Sequence, residues 1–344
     1  MGKIAVIGAG SWGTALATVL ASNGHQIYLY ARNRERVEEI NTKRTNQRYL
    51  PGISLPPGIT ATSEMAVAIQ DAEAVFLVVP SQSVRSVSRD VAPYLHPDAL
   101  LVHAVKGFEL SSRKRISTVL REELGETKAI AVLSGPSHAE EVARRLPTTV
   151  VVASDDVHVA EKAQDLLINT SFRVYVNLDP IGVEVSGALK NVIAIAAGLS
   201  DGLAFGDNAK AALITRGLAE ITRLGVAMGA SQATFSGLAG VGDLVVTCTS
   251  RLSRNWRAGF LLAQGKSLQQ VLDELGMVAE GVKTTQVAYQ LARHYNIDMP
   301  ITSQLHQVLF AARSPREAVE SLMSRLRRHE IELLDEITPF RRIT

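Results

Sequence analysis

Three glycines fall at Gly8, Gly10 and Gly13 in the run Gly8-Ala9-Gly10-Ser11-Trp12-Gly13. A triplet at this spacing is weak evidence by itself. Here it follows a short apolar run at residues 4–7, opens an amphipathic stretch and leads to a second apolar run at 27–30. In that setting Gly8 permits a tight turn, Gly10 lets the backbone approach an anion, and Gly13 lets a helix pack on a sheet. The N–H groups of the helix start then face the anion. The chemistry is the binding of a dinucleotide pyrophosphate; a glycine-rich turn without a ligand is the plain alternative.

The second run ends Tyr30-Ala31-Arg32-Asn33-Arg34. An acid at this place bonds the ribose hydroxyls of NAD, and none is present. Arg32 suits the 2′-phosphate of NADP and stacking on adenine. NADP(H) is therefore the preferred cofactor, with NAD(H) tolerated. The plain alternative is that Arg32 and Arg34 are solvated helix-start residues, a reading that suits Arg34 better than Arg32.

Lys106-Gly107 follows the run 100–104. In an open α/β sheet ligands bind beyond the carboxyl ends of strands, which aims Lys106 at the same crevice; a surface lysine fits the position equally well. Ser134-Gly135-Pro136-Ser137-His138-Ala139-Glu140 follows another run, 130–133. Ser137 and Glu140 have the spacing of a capping box, hence of a helix start, and a helix start beside the crevice also exposes donors to a phosphate. His138 with Glu140 and Glu141 has no second histidine at ligand spacing, so no metal is assigned.

Lys190 stands in Gly187-Ala188-Leu189-Lys190-Asn191-Val192-Ile193, inside an otherwise apolar stretch. Burial lowers the pKa of a lysine and makes it a candidate proton donor or acceptor. A lysine that snorkels to solvent is the alternative. Glu184 nearby leaves this open, because a partner carboxylate raises the pKa again. Last comes the cluster Gly240-Val241-Gly242-Asp243, Thr247-Cys248-Thr249-Ser250 and Ser253-Arg254-Asn255. A guanidinium with hydroxyl and amide donors matches phosphate oxygens, while Ser253 also reads as a helix cap and Arg254 as solvated. Cys248 reads as a small buried side chain.

These residues need elements to hold them. Short runs, apolar throughout, lie at 4–7, 27–30, 59–62, 74–79, 100–104, 130–133 and 149–153. Such runs suit strands covered on both faces. Helical stretches at 13–23, 34–45, 82–91 and 112–124 alternate with them, which predicts a doubly wound, mostly parallel α/β sheet, a Rossmann domain. After Pro180 the texture turns helical, at 183–199, 209–228, 267–275, 284–295 and 316–337, interrupted by Gly-rich segments at 200–208 and 237–255. The boundary is placed around Asp179-Pro180, giving a dinucleotide-binding unit at 1–181 and an all-α unit for substrate and catalysis at 182–344.

Composition sets the limits. The chain has 344 residues, 46% hydrophobic and 20% charged, which excludes disorder and rod-like folds. Its net charge of +2 is too small for a general polyanion binder, so no nucleic-acid partner is expected and any anion site is local. A single cysteine excludes an intrachain disulfide and points to a reducing compartment. The N-terminal apolar run is too short for a secretory signal. The apolar stretch 181–199 carries Glu184 and Lys190 and reads as a buried helix, so no membrane insertion is expected and the location is cytoplasmic.

Gly8-Ala9-Gly10-Ser11-Trp12-Gly13-Thr14-Ala15, Leu133-Ser134-Gly135-Pro136-Ser137-His138-Ala139, Gly187-Ala188-Leu189-Lys190-Asn191, Gly240-Val241-Gly242-Asp243-Leu244 and Ser253-Arg254-Asn255 occur in this order. Together they resemble bacterial NAD(P)-dependent glycerol-3-phosphate dehydrogenase, over about residues 3–325. The resemblance implies reversible NAD(P)H-dependent reduction of dihydroxyacetone phosphate to sn-glycerol 3-phosphate, feeding phospholipid synthesis. It also implies roles. Lys190 matches the proton donor/acceptor, and Lys106 a lysine near both substrate and cofactor. Gly135, Ser137, Asp243, Ser253, Arg254 and Asn255 match substrate positions. Ser11, Trp12, Arg32, Ala139, Val278 and Glu280 match cofactor positions, with Arg254 shared; Asn33 and Tyr49 are carried over on thinner grounds. A homodimer is compatible with it.

Two rivals stand beside this reading. One is a β-hydroxyacid or 6-phosphogluconate-type dehydrogenase with the same architecture. The other is a dinucleotide-sensing regulator that uses Arg325-Leu326-Arg327-Arg328 on a partner, although Glu330 and Glu332 make that segment read as a solvated mixed-charge face.

Overall fold

The structure is a computed structural model that describes residues 2–126, 129–276, 279–326 and 330. Its strands are β1 (Lys3–Ile7), β2 (Gln26–Tyr30), β3 (Ile59–Thr62), β4 (Ala74–Leu77), β5 (Leu100–His103), β6 (Ile130–Ser134), β7 (Thr148–Ala153) and β8 (Phe172–Asn177). They form one sheet in the order β3-β2-β1-β4-β5-β6-β7-β8. All neighbours are parallel except β6 and β7, which run antiparallel with Val132 opposite Ala153.

Helices α1 (Ser11–Ser22), α2 (Arg34–Lys43), α3 (Met65–Ile69), α4 (Val84–Val91), α5 (Ile116–Leu124), α6 (Ala139–Ala143) and α7 (Val157–Leu167) cover the sheet. Side chains alternate across a strand. Ile4 and Val6 of β1 join the core beneath α1 and α7, whereas Ala5 and Ile7 join the core beneath α3, α4 and α5. Burial on both faces is why these strands are apolar throughout. β8 breaks that rule and is absent from the sequence reading. At this edge Phe172 and Val174 are buried while Arg173 and Tyr175 are exposed, so the strand alternates and a search for unbroken apolar runs passes over it.

The strand order reverses between β1 and β4, whose carboxyl ends open the crevice where such sheets bind ligands. The chain leaves β1 into Gly8, β4 towards Ser81, β5 towards Lys106 and β6 into Gly135, so three of the candidate segments reach one edge, with Ser81 beside them.

The remaining helices are α8 (Pro180–Gly202), α9 (Asp207–Ala227), α10 (Asp243–Thr249), α11 (Arg254–Ala263), α12 (Leu268–Leu275), α13 (Glu280–His294), α14 (Pro300–Phe310) and α15 (Pro315–Met323). Asp179 caps α8 by accepting from Gly182 N at 2.9 Å, with Pro180 in the first turn. α8 is long and apolar enough to cross a membrane, and 89% of its most apolar stretch is buried inside the protein. It is the axle of the helical half, packing on α9, α10, α11, α13 and β6. It meets α11 so closely that a Cβ on Gly198 would lie 1.9 Å from Trp256 O, and one on Gly259 1.9 Å from Ile195 O.

Two helical expectations change. Residues 237–255 do not simply interrupt the helices: a π-helical turn over Leu238–Gly242 runs into α10, and α11 begins at Arg254. Gly240 there admits a tight turn against Phe235, where a Cβ would lie 1.9 Å from the Phe235 carbonyl oxygen. The helix expected at 316–337 ends at Met323, where Ser324 N closes on Glu320 O; its continuation from 327, including Arg327 and Arg328, lies outside the described residues.

Candidate active site

The glycine loop divides its labour. Gly8 has φ +119°, and a Cβ there would sit 2.3 Å from Val78 O. A Cβ on Gly13 would sit 1.9 Å from Gly8 O, whereas one on Gly10 would meet nothing within 4 Å. Gly8 and Gly13 are thus required by the packing, and Gly10 faces open space. Gly10 precedes α1 with no side-chain cap, leaving the leading N–H groups of the helix uncovered. An open cradle that a side chain would fill, lined by backbone donors, fits a dinucleotide pyrophosphate. Ser11 Oγ donates to Tyr49 O at 2.6 Å, and Trp12 packs on the sheet core. Buried Asn46 donates from Nδ2 to Ala9 O (3.0 Å) and Thr14 Oγ1 (2.9 Å), tying the loop down.

Beyond β2, Arg32 and Arg34 are exposed. Asn33 caps α2 by accepting from Arg36 N at 2.8 Å, so its Oδ1 is engaged in the fold.

The lysines converge. Asp243, at the first turn of α10, is fully buried and ion-pairs through Oδ2 with Lys106 Nζ at 2.8 Å and through Oδ1 with Lys190 Nζ. Lys106 also donates to Gly135 O at 2.9 Å and lies 3.5 Å from Ser137 Oγ. Lys190, 6% exposed, donates to Thr247 Oγ1 at 2.8 Å. Neither lysine is a surface residue, and Lys190 does not snorkel. Its partner is Asp243 rather than Glu184, which instead accepts from Ser117 N and Oγ and from Arg115.

Electrostatics follow from this burial. Desolvation is the largest influence on Lys190; Asp243 opposes it, Lys106 reinforces it, and the pKa falls to about 7. Burial pushes the Asp243 carboxyl up, but the two ammonium groups outweigh it and hold it below the ordinary range. The site therefore combines a titratable ammonium with a carboxylate that stays ionised.

Around this trio, Ser137 Oγ donates to Gly135 O at 2.9 Å. The capping box expected of Ser137 and Glu140 is not made: α6 starts one residue later, with His138 as its first flanking residue and no side-chain cap. Ala139 is the first, buried residue of α6. Asn255 Nδ2 donates to Asn191 Oδ1 at 2.8 Å, and Asn191 Nδ2 to Lys106 O at 3.1 Å. This brings the start of α11 to the lysines. Ser253 caps that helix by accepting from Trp256 N, and exposed Arg254 follows it. Glu280 accepts from Ser81 N (3.0 Å) and Ser81 Oγ (2.6 Å), joining α13 to the end of β4. Val278 lies outside the described residues. The Cys248 thiol is buried and pushed up to about 12, which makes it inert packing.

A glycine cradle that fits a dinucleotide thus opens on the same edge as a buried lysine of lowered pKa. The model of the NAD-dependent glycerol-3-phosphate dehydrogenase N-terminus matches residues 3–160, and that of the C-terminus matches 179–320. The chain belongs to the NAD-dependent glycerol-3-phosphate dehydrogenase family. It is 56% identical over 339 residues to a protein of Geobacillus kaustophilus named glycerol-3-phosphate dehydrogenase, NAD(P)+, with 98% of each chain covered. It is 57% identical over 332 residues to the protein of that name from Desulfitobacterium hafniense, covering 96% of this chain and 94% of the other. The crystal structure of glycerol-3-phosphate dehydrogenase from Coxiella burnetii superposes with a TM-score of 0.91 at 40% identity, covering 94% of this chain and 99% of that one. The fold is accordingly a Rossmann-like domain followed by a helical one, the chain is an NAD(P)-dependent oxidoreductase, and the rival readings are not favoured.

Several side chains that build the site are given no role by the sequence alone. Thr247 holds Lys190; its place one helical turn after Asp243 was the available signal. Ser81 and Asn46 carry no pattern of their own, and Asn191 stands in the Lys190 motif with no role assigned to it. His138, considered only as a metal ligand, lies close enough to Lys190 to feel its charge. Burial first and that charge second hold its imidazole below the ordinary pKa, hence neutral near pH 7.

Proposed function

We propose that this enzyme reduces dihydroxyacetone phosphate to sn-glycerol 3-phosphate, reversibly, with NADPH preferred over NADH. The observation that carries this is the Lys190 ammonium, buried against Asp243 and Thr247 with its pKa lowered to about 7, on the edge where the glycine cradle opens. Bound NAD(P)H supplies a hydride to the substrate's carbonyl carbon. Lys190 stabilises the charge that develops on the carbonyl oxygen and gives it a proton. In the oxidative direction the neutral amine takes that proton back. Asp243 keeps Lys190 and Lys106 in place, and Lys106 stands beside Gly135 and Ser137 to orient substrate.

The roles are divided between the two halves. Residues 1–181 hold cofactor through Gly8, Gly10, Ser11, Trp12, Gly13, Arg32, Asn33, Tyr49, Lys106 and Ala139. Residues 182–344 supply Lys190, Asp243, Ser253, Arg254 and Asn255 to the substrate, with Arg254, Val278 and Glu280 also assigned to cofactor. The Arg254 guanidinium suits the substrate phosphate because its fork matches phosphate oxygens. NADPH preference rests on Arg32 in the place of an acid at the end of β2. Supply of the glycerophospholipid backbone, a cytoplasmic location and a homodimeric assembly complete the reading, with no nucleic-acid partner and no membrane insertion.

The deciding assay follows NADPH consumption with dihydroxyacetone phosphate and with a β-keto acid, and NADPH formation from NADP+ with 6-phosphogluconate, in parallel. Turnover confined to dihydroxyacetone phosphate is expected. Turnover with another substrate alone, or tight NADPH binding with no turnover at all, would overturn the reading.

A further inference from the structure

Beyond β2 the protein concentrates positive charge that the lysine–aspartate trio does not use. The Arg36 guanidinium carbon lies 4.4 Å from the Tyr49 ring centroid, and that of Arg48 lies 5.7 Å from it. Among the described residues none of Arg32, Arg34, Arg36 and Arg48 has an ion-pair partner. Of the acids on α2, Glu35 and Glu38 are exposed, and Glu39 accepts from Thr45 Oγ1 and Gln47 N. In a chain of net charge +2 this is a local excess.

The ring that gathers two of these groups is itself held. Tyr49 O accepts from Ser11 Oγ, and Tyr49 N donates to Asn46 O at 3.2 Å. Asn46 in turn grips Ala9 and Thr14 of the glycine loop. Arg36, in the first turn of α2, is fixed through its N–H to Asn33. The stacked guanidiniums therefore keep a set relation to the pyrophosphate cradle.

We propose that Arg36 and Arg48, stacked on Tyr49, are specificity-determining residues that grip the 2′-phosphate of NADPH together with Arg32. This deepens the NADPH preference proposed above and rests on it. A phosphate monoester carries about −1.5 to −2 charge near neutral pH and gains from more than one guanidinium fork. NADH offers only a hydroxyl at that place. A guanidinium restrained on an aromatic face has less rotamer freedom to lose on binding than exposed Arg32.

The test is steady-state kinetics of the full-length enzyme with NADPH and with NADH, for the parent, Arg36→Gln, Arg48→Gln and Arg32→Gln, with thermal melts of each. Arg36→Gln and Arg48→Gln are each expected to raise the KM for NADPH by roughly tenfold, the scale of one charge-assisted hydrogen bond. The KM for NADH should stay within about twofold, because the clamp meets no charge on that cofactor. Equal changes for both cofactors, or no change for either, overturn the proposal. Arg32→Gln alone abolishing the discrimination overturns it while leaving the NADPH preference standing. A parent with the tighter KM for NADH removes the preference itself.

Discussion

Lys190 Nζ forms an ion pair with Asp243 Oδ1 inside the protein, and the other oxygen of that carboxylate holds Lys106. One acid thus neutralises part of the charge of two buried cations. Asp243→Asn leaves two ammonium groups facing each other without a counter-charge, and removing one partner of a buried pair costs about 3–5 kcal/mol. The Lys190 pKa should then fall below the value of about 7 that it has beside the carboxylate. Reduction at neutral pH is expected to drop by about a hundredfold or more, with a partial recovery at lower pH. A pH profile identical to that of the parent would refute the pairing as a functional one.

Lys190→Ala should lower turnover by at least roughly a hundredfold, the low end for a general acid–base group, with NADPH affinity largely kept. The sign of the pH dependence follows from the pKa of about 7. Reduction needs the ammonium and declines as pH rises through that value; oxidation of glycerol 3-phosphate needs the amine and climbs. Turnover near that of the parent would take Lys190 out of the role, and cofactor titration separates lost chemistry from lost binding.

Gly10 and Gly13 make a paired test of the cradle. A Cβ at Gly10 enters open space, so Gly10→Ala should melt within about 1 °C of the parent, as surface changes do. Its KM for cofactor should nevertheless rise roughly tenfold or more, about 1.4 kcal/mol. Gly13→Ala drives a methyl to 1.9 Å from Gly8 O and should destabilise the fold by about 1–3 kcal/mol. Unchanged cofactor kinetics in Gly10→Ala would place the pyrophosphate elsewhere.

The contrast between these residues and Asp243 explains what the sequence could carry. Gly8, Gly10 and Gly13 act within one turn of chain, so their spacing records their geometry. The apolar runs 4–7 and 130–133 likewise record burial on both faces of the sheet. Asp243 acts on Lys190 across 53 positions and on Lys106 across 137, and no local pattern states which lysines share it. Asn46 acts on Ala9 across 37 positions with the same result. β8 was lost because an edge strand covered on one face alternates. The capping box at Ser137 was read where none forms because the backbone turns helical only after His138, and Ser137 Oγ is drawn to Gly135 O instead.

Arg254 begins α11, whose neighbour Asn255 is bonded to Asn191 beside Lys190. Arg254→Ala should raise the KM for dihydroxyacetone phosphate by roughly tenfold to a hundredfold, the range of hydrogen bonds to a charged group. Turnover at saturation should fall less, since a guanidinium that binds the phosphate would contact it in ground and transition states alike. An unchanged KM for that substrate contradicts the assignment.

Away from the site, Glu220 of α9 is buried beneath the start of α14, accepting from Ile301 N, from Thr302 N at 3.1 Å and from Thr302 Oγ1 at 2.9 Å. Burial outweighs these hydrogen bonds and pushes its pKa up to about 7 from an ordinary 4.5. Below pH ~4.5 the carboxyl is protonated in both folded and unfolded chains and contributes no pH dependence. Between about 4.5 and about 7 the unfolded chain ionises first, so this group makes stability fall as pH rises. Above that window both forms are ionised and the loss persists. Glu220→Gln keeps one acceptor for the α14 amides and removes the titration. The substitution also alters the hydrogen bonds to α14, so the readout is the slope rather than the absolute stability. From urea melts at pH ~5 and pH ~7, the parent should lose about 2 kcal/mol of stability relative to the variant, the part of a shift of this size that falls between those two pH values. Parallel pH dependence in the two proteins would mean that Glu220 is ionised at the lower pH, with the α14 amides supplying enough compensation to hold the charge.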